Sequence, residues 1–135
     1  MNLETSLKIA AAGMHVQAAR LRVTAENLAN AQSTAQQPGD DPYRRKTISF
    51  ANVLDRATGA ELVQVRRYGQ DRAPFELRFE PSHPAANEAG YVSYPNVNPL
   101  IELMDMREAQ RSFEANLTAM QQARGMLQRT LDLLR

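Results

Sequence analysis

NPLIELMDMREAQRSFEANLTAMQQARGMLQRTLDLLR, residues 98–135, is the longest uninterrupted helix signal in the chain. Asn98 is a good N-cap, because its side-chain oxygen can take an orphan backbone N–H. Pro99 suits the first turn, where its missing donor has no partner to lose. Glu102 and Asp105 come early and Arg129 and Arg135 late, an order that complements the helix dipole. Met106, Phe113, Met120, Leu127 and Leu134 recur every seven residues, with Leu103, Leu117 and Leu131 on one side and Ala109 and Ala123 on the other. This is an apolar stripe at heptad spacing. From Pro99 to Leu134 the helix would run about 54 Å at the standard rise, whereas a compact globule of this length is about 37 Å across. The stripe therefore calls for a partner.

The other end of the chain carries a second helix signal, from Leu3 to Leu28. Leu7, Met14, Leu21 and Leu28 recur every seven residues, and Ala11, Ala18 and Ala25 follow four positions after the first three. A Leu/Met row beside an Ala row predicts a narrow seam against which another helix can pack closely. Gly13 lies inside this helix at a cost of about 1 kcal/mol relative to Ala, and it is either tolerated there, the preferred reading, or marks a close contact. Asn30 is expected to end the helix in the left-handed conformation that Asn accepts. Asn27 and Asn116 each precede a stripe leucine, Leu28 and Leu117, which puts both amides at the seam's edge. They are either solvated or bonded across the seam, where they would select one register.

Between the helices the period changes. Residues 32–41 read as a loop, with Ser33, Thr34, Pro38, Gly39, Asp40 and Asp41. Alternation in 45–50, 61–68 and 75–80 predicts short strands, with turns at 55–59 and 69–71. Residues 81–99, dense in Pro, Asn and Gly, read as the return to the second helix. The expected fold class is α+β: two long terminal helices forming a coiled-coil-like pair, with a small antiparallel β domain inserted between them. The expected domains are 1–36 with 97–135 as a discontinuous helical unit, and 37–96 as the β-rich one.

Composition removes several function classes. Lys and Arg number 16 against 15 Asp and Glu, so the net charge of +1 gives no overall field to draw the chain to a polyanion. There is no cysteine, which excludes disulfides, thiolate metal sites and thiol catalysis. No apolar run is long enough to span a bilayer, so membrane insertion is not expected. Met1 to Arg20 is not read as a cleavable signal peptide, because Glu4 sits in the would-be basic region and His15 and Gln17 interrupt a short apolar run. His15 and His83 lack metal spacing, Asp40-Asp41 lacks the pattern of a calcium loop, and the glycines form no phosphate-binding cluster. Neither catalytic residues nor a cofactor or metal is expected. Two rival readings stand beside a self-associating subunit. Arg44, Arg45 and Lys46 beside Tyr43, and Arg66 and Arg67 beside Tyr68, could grip single-stranded nucleic acid. Alternatively, the two helices could serve a soluble adaptor that clamps a partner helix.

Read as S-L-x-I-A-A-x-G-M-x-x-Q-A-x-R-L-x-V-x-A-x-N-L-A-N-A, residues 6–31 resemble the amino-terminal segment of the bacterial flagellar axial proteins, the rod, hook and hook–filament junction subunits. The strings Pro42-Tyr43-Arg44-Arg45, Glu80 to Asn87, Gly90 to Asn98, Met104-Asp105-Met106 and Arg111 to Asn116 are similar to the proximal-rod members of that family. The resemblance implies a structural subunit of the basal-body proximal rod, not an enzyme. Its implied partners are copies of itself, other rod proteins and the flagellar type III export apparatus. Its implied place is the periplasmic rod, reached without a cleavable signal. The implied assembly interface is Leu7, Met14, Leu21, Asn27, Leu28 and Asn30 on the first helix. On the second it is Met106, Phe113, Asn116, Leu117, Met120, Leu127, Leu131 and Leu134.

Overall fold

The computed structural model describes residues 2–135. The chain is α+β, in the order α1 (Leu3–Ala29), β1 (Lys46–Asp55), β2 (Ala60–Gln70), β3 (Glu76–Phe79), β4 (Tyr91–Tyr94) and α2 (Pro99–Leu133). Both helices start as their caps dictate. The Asn98 side-chain oxygen accepts from Leu100 N–H at 3.1 Å, and that of Asn2 accepts from Thr5 N–H at 2.8 Å. At the end of α1, however, no residue other than glycine has a positive φ, so Asn30 does not take the left-handed conformation expected of it. Its side-chain amide instead donates to the Glu26 carbonyl at 2.8 Å, which also accepts the Asn30 N–H at 3.1 Å.

By their contacts the residues fall into two compact units. Unit 1 comprises Met1–Leu21, Ile48–Arg67 and Arg107–Arg135; unit 2 comprises Arg22–Thr47 and Tyr68–Met106. In unit 1 the helices run antiparallel: Gly13 lies against Asn116, and Arg20 pairs with Glu108 at 3.2 Å. In unit 2 they meet at Asn27 and Glu102, 3.4 Å apart. These positions step by seven residues along α1, as a heptad seam requires.

The expected Ala109 and Ala123 lie at the seam on α2, but on α1 the buried residues differ from those expected. Ala10, Val16 and Ala19 of α1 and Ala109 and Ala123 of α2 are buried, whereas Ala11, Ala18 and Ala25 are exposed and the Leu7–Leu28 row is only half-buried. Small residues let two backbones approach closely, and Gly13 marks the tightest point. A β-carbon there would come within 2.8 Å of the Asn116 amide. That amide already donates to the Ser112 carbonyl at 2.9 Å. Gly13→Ala is thus expected to lower stability by about 1–2 kcal/mol despite Ala's better helix propensity, since the amide must leave its place. In an Asn116→Ala background the same change should instead stabilise by about 1 kcal/mol. Thermal unfolding of the four chains checks the reversal of sign.

The strands form two separate two-stranded sheets rather than one, β1 with β2 and β3 with β4. β1 and β2 are joined by only four residues, which makes the pair an antiparallel hairpin, and its turn uses Gly59 at φ +69°. β4 lies in the stretch read as an irregular return. Its four residues are too few to show a period, and Gly90 and Pro95 flank them. Glu76 pairs with Tyr94, Leu77 with Ser93, Arg78 with Val92 and Phe79 with Tyr91.

The alternation in β3 is real, but its apolar face turns outward. Leu77 and Phe79 are 61% and 64% exposed, with Phe79 edge-on to Tyr91. On the inner side Val92, Tyr94 and Ala85 form the unit 2 core, and the Arg78 guanidinium covers the Tyr94 ring at 4.2 Å from its centroid. A cation held over an aromatic face does here what an aliphatic side chain would do.

Candidate assembly interface and its polar anchor

The most densely connected group lies in unit 2, where a buried amide joins three stretches of chain. Asn27, in the last turn of α1, is fully buried. Its oxygen accepts from Lys46 N–H and from the Tyr43 hydroxyl, each at 2.8 Å, while its nitrogen donates to the Lys46 carbonyl at 2.9 Å. The side chain thus stands in for a neighbouring strand, exchanging both bonds with the first residue of β1. Burial raises the Tyr43 phenol above its ordinary pKa, which keeps the hydroxyl protonated as the donor to Asn27.

Glu102, in the first turn of α2, is also fully buried, and it pairs with Arg45 Nε. The same guanidinium reaches Asp71 at 3.7 Å and Asp105 at 3.9 Å. Arg45 N–H donates to the Asn96 side chain at 2.8 Å, and Asn96 Nδ2 in turn holds the carbonyls of Asp71 and Ala73 at 3.0 and 3.1 Å. Nearly all the hydrogen-bonding capacity of these buried groups is used, as burial of polar atoms demands.

This network accounts for the basic cluster at 44–46. Arg44 stacks on Phe75 at 4.2 Å and donates to the Asp71 carbonyl at 3.0 Å. Arg45 faces three carboxylates, and Lys46 pairs with Glu26 at 2.8 Å, a contact that raises the Lys46 pKa. Arg44 and Arg45 are thus held within the fold, whereas Lys46, on its ion pair with Glu26, and the second cluster, Arg66 and Arg67, are exposed. Sequence reasoning missed Glu102 as a partner because its place in the first turn already had a sufficient reason in the helix dipole. Arg45–Glu102 spans 57 positions, which no local pattern reports.

The sequence-predicted interface residues divide into three groups. Asn27 bonds within the chain, Asn30 caps α1, and Asn116 fills the gap at Gly13. Leu7, Met14, Leu21, Leu28, Met106, Phe113, Leu117 and Met120 are half-buried. Toward the end of α2 the stripe is uncovered: Leu127, Leu131 and Leu134 are 39%, 55% and 79% exposed, with Met126 and Leu133 beside them. Leu100, Ile101, Leu103 and Met104 form another exposed apolar group at its start. Contiguous apolar surface of this kind marks an interaction face. His83, by contrast, is a turn residue whose Nδ1 accepts from Ala85 N–H at 3.0 Å. Among the described residues no group of three potential metal ligands occurs, and no helix is long and apolar enough to cross a membrane.

Residues 88–133, from the approach to β4 through α2, match the family model described as flagellar basal body rod FlgEFG protein C-terminal. The flagellar basal-body rod protein FlgC of Agrobacterium fabrum is 50% identical over 133 residues, covering 98% of this chain and 96% of the relative. FlgC of Bacillus subtilis is 36% identical over 143 residues, with 95% of each chain covered. FlgC of Salmonella typhimurium is 36% identical over 135 residues, with 98% of each covered. With likeness along nearly its whole length, the chain belongs to the FlgC family of flagellar basal-body rod proteins, which are structural subunits and not enzymes.

Proposed function

We propose that this chain builds the proximal part of the rod by packing its helices against copies of itself and against other rod proteins. The observation that carries the reading is the uncovered end of the α2 stripe, Leu127, Leu131 and Leu134. Burying one leucine side chain is worth about 1.5–3 kcal/mol, so covering a row of them is a sufficient drive for association. In this reading residues 1–36 and 97–135 supply the packed helical part, and residues 37–96 supply the outer, β-rich part. The half-buried Leu7, Met14, Leu21, Leu28, Met106, Phe113, Leu117 and Met120 complete the contact surface. The chain reaches the periplasm through the flagellar type III export apparatus, without a cleaved signal.

Leu131→Asp tests this directly. The residue is exposed in the isolated chain, so folding should be unaffected, whereas in an assembly the aspartate would be desolvated among apolar side chains. Expected are an unchanged circular dichroism spectrum, loss of incorporation into basal bodies, and loss of swimming in cells that carry only the variant. Normal swimming would show that α2 is not buried at this position. An adaptor would stop at a defined complex, and sedimentation against concentration separates that behaviour from open-ended assembly.

A further inference from the structure

The near-zero net charge conceals a division between the two units. Unit 1 carries ten Lys and Arg against six Asp and Glu, a net of +4; unit 2 carries six against nine, a net of −3. Internal pairing determines which of these charges are left for contacts with another molecule. In unit 2, Arg45, Lys46 and Arg78 are all engaged with carboxylates of that unit. The carboxylates of Asp40, Asp41 and Glu88 then project from exposed loops with no ion pair among the described residues. Asp40 and Asp41 also line a polar cavity of about 150 Å³, large enough for a guanidinium group. In unit 1, Arg66 and Arg67 on β2 and Arg111 on α2 are exposed and likewise have no ion pair among the described residues.

We infer that this division directs assembly: the exposed Arg66 and Arg67 of unit 1 in one copy pack against the Asp40, Asp41 and Glu88 loops of unit 2 in another. The occupant is a second copy of this chain, because the chain itself carries both complementary surfaces. The inference rests on the rod reading for the existence of contacts between copies, and it specifies one of them. Such a contact joins different surfaces of the two copies, and it continues into an open array wherever the second pair of surfaces is left for a further copy. The same charges disfavour contacts of unit 1 with unit 1 or of unit 2 with unit 2, where like charge would meet like. Arg66-Arg67 and Asp40-Asp41 thereby acquire a role that neither a nucleic acid nor a bound cation supplies.

The test is a charge swap in the full-length protein. Arg66→Glu with Arg67→Glu makes one variant; Asp40→Arg with Asp41→Arg makes the other. All four positions are exposed, and circular dichroism should report unchanged folds. Sedimentation at low salt is expected to show self-association weakened about tenfold or more in each variant alone. An equimolar mixture of the two should recover it, since each reversed surface then meets its complement on the other variant. Raising the salt to about 0.5 M should weaken the wild type and the mixture alike, because exposed charges are screened. Variants that associate as the wild type does, or a mixture that recovers nothing, would overturn the inference. The rod reading is judged separately, by incorporation of Leu131→Asp into basal bodies, so either can fail without the other.

Discussion

Arg45→Met is expected to lower the stability of the chain by about 3–5 kcal/mol. The reason lies in what it leaves behind. Glu102 is fully buried, and without the guanidinium its remaining donor is Asn27 Nδ2 at 3.4 Å. A carboxylate in that position cannot recover its hydration, so the uncompensated charge costs far more than the pair contributed. Asp71 and Asp105 matter less. Their side chains are 35% and 32% exposed and can turn to water when Arg45 is gone. This asymmetry makes the prediction specific, because adding Glu102→Leu to Arg45→Met should restore most of the loss. An apolar pair of similar volume has no charge to strand and is often as stable as the ion pair it replaces. Urea unfolding of wild type, both single variants and the double variant gives the coupling. A double variant no more stable than Arg45→Met would place the loss in Arg45's other contacts, with Asn96 and the 71–73 segment.

How much of this was legible beforehand varied with the range of the interaction. Both helices were readable because a heptad row repeats over several turns and caps act within three residues, as the Asn98 bond to Leu100 illustrates. The β1–β2 hairpin was readable from alternation and its turn. What failed was the inference from pattern to face. The Ala11, Ala18 and Ala25 row looked like a seam but faces outward, while the second helix packs at Gly13, Arg20 and Asn27. Periodicity finds an apolar row, but it cannot say whether the chain itself or another molecule covers that row. The same ambiguity inverted β3, where Leu77 and Phe79 face out and Arg78 packs on Tyr94. Large apolar side chains such as Leu77, Phe79 and Leu131 are exposed in this chain, and small and polar residues form many of its internal contacts. The usual equation of large with buried then misleads.

Asn27→Leu is the second large effect, and it separates two asparagines that look alike in sequence, in Ala25-Glu26-Asn27-Leu28 and Glu114-Ala115-Asn116-Leu117. Both were expected at the seam's edge. Asn116 bonds locally, to Ser112 one turn back, so its loss removes one bond worth about 1 kcal/mol. Asn27 instead satisfies the N–H and C=O of Lys46, which lie across 19 positions of chain. Leucine is nearly the same size and is a better helix former, so neither a cavity nor a propensity penalty follows. The loss comes from Lys46, whose two backbone groups are left without partners at about 1–3 kcal/mol each. Tyr43 is only half-buried, and its hydroxyl can turn to water. Asn27→Leu should therefore cost about 2–6 kcal/mol while α1 keeps its helicity, and Asn27→Ala should cost about as much. Amide hydrogen exchange locates the damage: Lys46 N–H should lose its protection, whereas amides in the middle of α1 should retain theirs. If Lys46 stays protected and the stability changes by less than about 1 kcal/mol, water replaces the amide at no cost and Asn27 does not anchor β1.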